Sequence, residues 1–242
     1  MTKTQANNAV AVYCASSLGH HKAFQEAARS LGSALAEAGR PLVYGGGNKG
    51  IMGVVSGAAL EKGGKVTGVV PYAMIAAGGE AEQLEGTEKS RAAKIALIER
   101  GREKIEHVIV DSMHERKQEM AVRSSAFIGL PGGFGTYEEV LEVITWSQLG
   151  IHRKPVIVLN ILGFWEPFRE LVKMGVQAGF IQPQNADLVQ FVNGPKDHAE
   201  HDTFNWGQAA LEAIDGWAAP DKSGIYDWTK RKDRASENIG AI

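Results

Sequence analysis

The feature that most constrains this chain is its alternation of short, continuously apolar runs with stretches long enough for a helix. Ala9 to Cys14 opens the pattern as a first strand, and a helical stretch follows from His21 to Ala38. Pro41 to Tyr44 reads as a second strand, followed by a glycine loop and a helix-like Ile51 to Lys62. Lys65 to Val70 makes a third strand, stopped by Pro71; His107 to Val110 is a fourth, Ala126 to Leu130 a fifth and Pro155 to Leu159 a sixth. Strands separated by helix-length segments imply βαβ units and a parallel sheet. Val156-Ile157-Val158-Leu159 carries no polar alternation, as expected when helices cover both sheet faces. The expected fold class is α/β, a Rossmann-like doubly wound parallel sheet forming a single domain. Residues 1–195 form its body, and residues 196–242 add a helix (Trp206 to Trp217) and a polar tail to the same domain. In such folds ligands sit beyond the carboxyl ends of the strands, at a topological switch point. All the glycine-bearing loops here follow strands.

Residues 73–104 interrupt the alternation. Ala76-Ala77-Gly78-Gly79 leads into a charged helix expected from Glu88 to Glu103, read as a lid or an oligomer contact. The Lys230-Arg231-Lys232-Asp233-Arg234 cluster reads as a solvated surface. A formal net charge of −2 gives no electrostatic reason to expect nucleic acid as a partner. A single cysteine, Cys14, excludes an intrachain disulfide and fits a reducing compartment. Met1 to Asn8 is polar and lacks the apolar core of a signal peptide. No run approaches the roughly 18 apolar residues that span a bilayer. A cytoplasmic protein without membrane contact is expected.

The chemistry concentrates in Leu130-Pro131-Gly132-Gly133-Phe134-Gly135-Thr136-Tyr137-Glu138-Glu139. An apolar run ends here in a proline–glycine loop, and a helical pattern follows directly. That arrangement aims backbone N–H groups beyond the strand end, where phosphate is attracted. Glu138 or Glu139, in the helix's first turns, can reach the same space. Acids there also gain from the helix dipole whatever their function, so one of the two can be purely structural. Upstream, Ser112 and Glu115 have capping-box spacing, which gives Glu115 a structural role. Arg116 and Met120 share a face of that helix. On spacing alone Arg116 reads as a surface arginine.

Other motifs exclude more than they assign. Gly45-Gly46-Gly47-Asn48-Lys49-Gly50 satisfies GxGxxG but follows the second strand, and no acid closes a strand about 20 residues later. Gly50 is followed by Ile51, so the Walker A pattern fails. No third ligand joins His198 and His201, and no metal site is expected. No lysine stands in a recognisable cofactor context, and no cofactor is expected.

Together these segments resemble the LONELY GUY (LOG) family of cytokinin riboside 5′-monophosphate phosphoribohydrolases, whose members have often been labelled possible lysine decarboxylases. The PGGxGTxxE signature matches at Pro131, Gly132, Gly133, Gly135, Thr136 and Glu139, and Met-His-x-Arg-Lys at Met113, His114, Arg116 and Lys117. Tyr44-Gly45-Gly46-Gly47-x-x-Gly50-Ile51-Met52-Gly53 is a typical segment of the family, and Cys14-Ala15-Ser16-Ser17 resembles its Cys-Gly-Ser-Ser with Ala15 for glycine. If that position needs a positive φ, alanine would cost about 1 kcal/mol. The resemblance covers roughly residues 9–192.

It implies hydrolysis of the N-glycosidic bond of N6-substituted adenosine 5′-monophosphates to a free base and ribose 5-phosphate. Arg116 and Glu139 are the implied catalytic residues. Ser16, Gly46, Gly47, Met113, Lys117, Pro131, Gly132, Gly133, Gly135, Thr136 and Glu138 are the implied substrate-binding residues, with Glu138 on a ribose hydroxyl. The implied partners are a small-molecule nucleotide monophosphate and further copies of the chain, in a homodimer or higher homo-oligomer. Arg91 or Arg123 of a second copy would then complete the pocket. Two alternatives stay open: an AMP nucleosidase-like hydrolase, and a non-catalytic nucleotide or molybdenum-cofactor binding protein.

Overall fold

The computed structural model describes residues 8–77, 102–218, 226 and 228. The helix expected from Glu88 therefore lies almost wholly outside the described residues, as do Gly78, Gly79, Arg91 and the Lys230 to Arg234 cluster. The strands are β1 (Val10–Tyr13), β2 (Leu42–Tyr44), β3 (Val66–Pro71), β4 (Ile105–Val110), β5 (Ala126–Gly129), β6 (Val156–Asn160) and β7 (Gln190–Asn193). They form one sheet in the order β4-β3-β2-β1-β5-β6-β7, and every pair is parallel. The helices are α1 (Lys22–Glu37), α2 (Gly50–Glu61), α3 (Tyr72–Ala76), α4 (Met113–Arg123), α5 (Phe134–Gln148), α6 (Glu166–Gln177) and α7 (Trp206–Asp215). This is the expected doubly wound α/β domain. The direction of winding reverses between β1 and β5, which lie side by side.

Two cores follow from the two-residue period of the strands. Val10 and Val12 of β1 turn to one face with Leu42, Tyr44, Ile128, Ile157 and Leu159, where α1, α2 and α7 cover them. Ala11 and Tyr13 turn to the other with Val43, Phe127, Val156 and Val158, under residues of α4 and α5. The seventh strand had no apolar run to announce it. Its ends are Gln190 and Asn193, it lies at the sheet edge, and none of its residues is fully buried. Helix α6 was also unannounced, and it buries no residue.

His201 is a packed residue of this fold. Its Nδ1 accepts the Leu162 N–H at 3.0 Å and its Nε2 meets the Pro195 carbonyl at 2.8 Å, so both ring nitrogens are engaged. Leu162 needs that anchor, because it sits at φ 53°, in the left-handed region. No described helix is long and apolar enough to cross a membrane.

Helix α1 packs tightly because its inner face is built from small residues, Ala23, Ala27, Ala28 and Gly32. A Cβ at Gly32 would stand 2.2 Å from the Val55 carbonyl oxygen of α2, so the two backbones meet there. Gly32→Val must push α1 and α2 apart. We expect a stability loss of about 3 kcal/mol, read as a lower urea midpoint with the slope unchanged.

Candidate active site

A cavity of about 310 Å³ opens at the carboxyl edge of the sheet, between the segments that follow β1 and β5. Both sides of the switch point thus contribute to its wall, as the sheet order requires. From the β1 side come Cys14, Ala15, Ser16 and Ser17; from the β5 side come Gly133, Phe134, Gly135, Thr136, Glu138 and Glu139. Gly45, Met52, Met74, Met113 and Arg116 complete most of the remainder.

The two glycine loops differ in what their helices offer. At the start of α2, the Met52 N–H donates to the Ala15 carbonyl at 3.1 Å and the Ile51 N–H to the Ser17 carbonyl at 3.2 Å. Those donors are spent on fastening the two loops together. At the start of α5 the N-cap is Gly133, and no side chain caps it. Nothing stands within 4 Å of a Cβ built on Gly133 or Gly135. That first turn, with its orphan N–H groups and the positive end of the helix dipole, lines the cavity at Gly133, Phe134, Gly135 and Thr136. Thr136 does not cap the helix. It is buried in the third helical position, and its Oγ1 occupies the space that a Cβ on Gly132 would take. Ala15 is outside the left-handed region, since Leu162 alone of the described non-glycine residues has positive φ. The alanine in place of glycine thus carries no strain.

Arg116 is not a surface residue. Its helix is started by Ser112, whose Oγ accepts the Glu115 N–H at 3.1 Å, while Glu115 accepts from the Asp111 N–H at 2.8 Å. That start rotates Arg116 and Met120 inward, and Arg116 is 9% exposed. The guanidinium has three acceptors. Nε donates to the Val69 carbonyl at 3.1 Å, Nη1 to Glu139 Oε1 at 3.1 Å and Nη2 to the Gly45 carbonyl at 3.3 Å. Gly45 is obligatory here, because a Cβ on it would fall 2.0 Å from Nη2. Strands β2 and β3 thus fix the arginine, and the arginine fixes Glu139.

Glu139 lies in the second turn of α5, not its first, and is 7% exposed. Burial pushes its carboxyl up to about 7. Arg116 opposes the rise, Glu138 adds to it, Lys117 opposes it and Glu142 adds to it. Tyr13, at the end of β1, is driven well above the ordinary tyrosine value by burial and then by Glu139 and Glu142.

Of the sequence-derived site residues, Ser16, Met113, Arg116, Gly133, Gly135, Thr136, Glu138 and Glu139 reach the cavity wall. Gly46, Gly47, Lys117, Pro131 and Gly132 do not stand in that wall. Gly46 turns the loop at φ 81° against Val70, and Lys117 is tied to Glu138 and Glu142. Arg123 pairs with Glu119 and Glu106 in the described chain. Sequence reasoning passed over Gly45, Cys14 and Met74. Cys14 directly follows β1, and that position was the available signal. Met74 lies on α3, inside the stretch set aside as an interruption.

The chain is similar to known proteins in sequence and in fold. A family model described as "Possible lysine decarboxylase" matches residues 52–201. The chain is 45% identical over 172 residues to cytokinin riboside 5′-monophosphate phosphoribohydrolase LOG of Oryza sativa subsp. japonica, covering 71% of this chain and 63% of that one. It is 42% identical over 180 residues to a cytokinin riboside 5′-monophosphate phosphoribohydrolase of Arabidopsis thaliana, covering 74% of each. The chain belongs to the LONELY GUY family. It thus spans less than two thirds of the rice protein and about three quarters of the Arabidopsis one. In fold it is similar to the molybdenum cofactor binding protein from Rippkaea orientalis, at a TM-score of 0.53 and 18% identity, covering 87% of this chain and 98% of that one. The molybdenum cofactor carrier protein from Chlamydomonas reinhardtii gives a TM-score of 0.51 at 21% identity, covering 86% and 99%. At such identities the likeness is one of fold.

The raised Glu139 sets a sign for stability. The folded state holds that proton more tightly than the unfolded chain, so the contribution is present below about 4.5 and is lost as pH rises through about 7. The stability of wild type relative to Glu139→Gln should fall across this window by on the order of 3 kcal/mol. Urea unfolding of both proteins between pH 4 and pH 8.5 checks it; a rising difference contradicts the assignment.

Proposed function

We propose that this chain hydrolyses the N-glycosidic bond of N6-substituted adenosine 5′-monophosphates, giving a free cytokinin base and ribose 5-phosphate. The observation that carries the reading is the buried Arg116–Glu139 pair, set beside the uncapped start of α5 in one cavity. The phosphoribohydrolase names of the relatives support the same reaction.

The 5′-phosphate sits on the N–H groups at Gly133 to Thr136, as an anion does at a helix start. That anchor places C1′ toward Glu139. As the C1′–N9 bond breaks, its electron pair goes to the base and positive charge develops on the sugar, which a carboxylate stabilises electrostatically. Water then bonds to C1′ and gives up a proton to Glu139; the base, which leaves with the C1′–N9 electron pair, takes up a proton from solvent, and Glu139 returns its own to solvent. A carboxyl with its pKa near 7 is well matched to that transfer at neutral pH. Arg116 holds the carboxylate still, and Glu138 faces the ribose from the cavity wall. The chain needs no cofactor for these steps.

Self-association of the chain fits this reading. Met113 and Val122 of α4 and Phe134 and Leu141 of α5 are exposed apolar side chains on the helices that build the site. Exposed apolar side chains on these two helices support pairing of copies.

The deciding experiment measures free base released from N6-isopentenyl-AMP, AMP and N6-isopentenyladenosine. Wild type should release base from the first. Glu139→Gln and Arg116→Ala should each reduce kcat/KM at least about 100-fold with the fold retained by circular dichroism. The nucleoside, lacking the anchor, should react about 100-fold more slowly or less. A preference for AMP would make the chain an AMP nucleosidase, and no release from any substrate by folded wild type overturns the hydrolase reading.

A further inference from the structure

Beside the catalytic pair stands a buried lysine that the proposed mechanism does not use. Lys117 follows Arg116 on α4 and is as buried, at 9% exposure. Its Nζ reaches across to α5, where it pairs with Glu138 and, at 3.0 Å, with Glu142. Those two glutamates are four residues apart, one turn of the same helix face, and Glu139 lies between them in sequence. A lysine is well suited to bridge two such acids, because its ammonium is a compact charge with three donors. Lys117 itself does not line the cavity, although its partner Glu138 does.

The charges around Glu139 can be named element by element. From α4 come Arg116 and Lys117, from α5 come Glu138 and Glu142, and from β1 comes the Tyr13 hydroxyl. Three carboxylates thus share two cations. Among the described residues only Arg116 bonds Glu139 itself. Without Lys117, two neighbouring negative charges would face the buried carboxylate with Arg116 alone to offset them.

We propose that Lys117 is a positioning residue: by clamping Glu138 and Glu142 it offsets the two carboxylates beside Glu139 and favours the ionised form of Glu139, without touching substrate. The state of Lys117 agrees with that role. Burial draws its ammonium down, but the hydrogen bonds and charges of Glu138 and Glu142 outweigh this and hold it above the ordinary lysine value. It therefore stays charged wherever the enzyme would work. The proposal deepens the hydrolase reading and rests on it for its meaning, but its test reads the carboxyl group directly.

The experiment is a ¹³C NMR titration of protein labelled at the glutamate side-chain carboxyls. The Glu139 signal is assigned by its disappearance in Glu139→Gln. Four proteins are titrated: wild type, Lys117→Met, Lys117→Arg and Glu142→Gln. Lys117→Met should move the Glu139 midpoint up by about one pH unit. Lys117→Arg should restore it to within about 0.3 unit, and Glu142→Gln should move it down by about half a unit. The acid limb of kcat/KM for N6-isopentenyl-AMP should follow the same shifts, with the alkaline plateau of Lys117→Met largely recovered. An unchanged midpoint in Lys117→Met, or activity lost equally at every pH, overturns the proposal. If Lys117→Met does not fold, Glu142→Gln decides, and an unmoved midpoint there overturns it. Absence of turnover in wild type would overturn the hydrolase reading and leave the titration result standing.

Discussion

A guanidinium and a carboxylate held together away from water must be supported by more than each other, and the site is organised around that constraint. Desolvation of the two ions can exceed their mutual attraction unless further hydrogen bonds satisfy them. Here the further acceptors are backbone carbonyls, those of Val69 and Gly45, supplied by β3 and by the turn after β2. Neither is a side chain that could swing away. The arginine is therefore held in one orientation by the sheet, and Glu139 is held by the arginine. Packing elsewhere serves this arrangement. The capped start of α4 sets its rotation, and the tight turn at Gly45 brings the carbonyl within reach.

The doubly wound sheet explains why these parts converge. Residues that follow parallel strands all emerge at one edge, and the reversal between β1 and β5 opens a gap there. Into that gap project two loops and the start of one helix. The helix starts divide the work. The start of α2 is bound to the carbonyls of Ala15 and Ser17 and ties the wall together, whereas the start of α5 remains uncapped and can take an anion. A glycine-rich sequence was present in both places. The difference lies in what the donors already bond.

Charge balance in the site is a matter of two helices rather than of one pair. Successive cations on α4 meet acids on α5, Arg116 with Glu139 and Lys117 with Glu138 and Glu142. Burial alone would favour the neutral form of Glu139, and the two cations resist that tendency. The result is a carboxyl poised near neutrality, which suits a group that both stabilises positive charge and accepts a proton.

Much of this was legible in the chain. Continuous apolar runs separated by helical lengths announced six of the seven strands: five are covered on both faces and have no polar side to show, and β4, at one sheet edge, still carries the apolar run Val108-Ile109-Val110. The proline–glycine turn into a helix with acids in its opening turns, and the capping box before Arg116, marked the site for the same local reasons. The edge strand Gln190–Asn193 and the outer helix Glu166–Gln177 gave no such signal, since neither buries a continuous apolar surface. Tertiary structure alone decided that Gly45, not Gly46 or Gly47, would meet the arginine, that Cys14 would reach the cavity, and that Lys117 would turn away from it to bridge two glutamates. Sequence spacing fixes which residues share a face of one helix. Which neighbour that face meets depends on how the sheet sets α4 against α5, and that is a property of the packed fold.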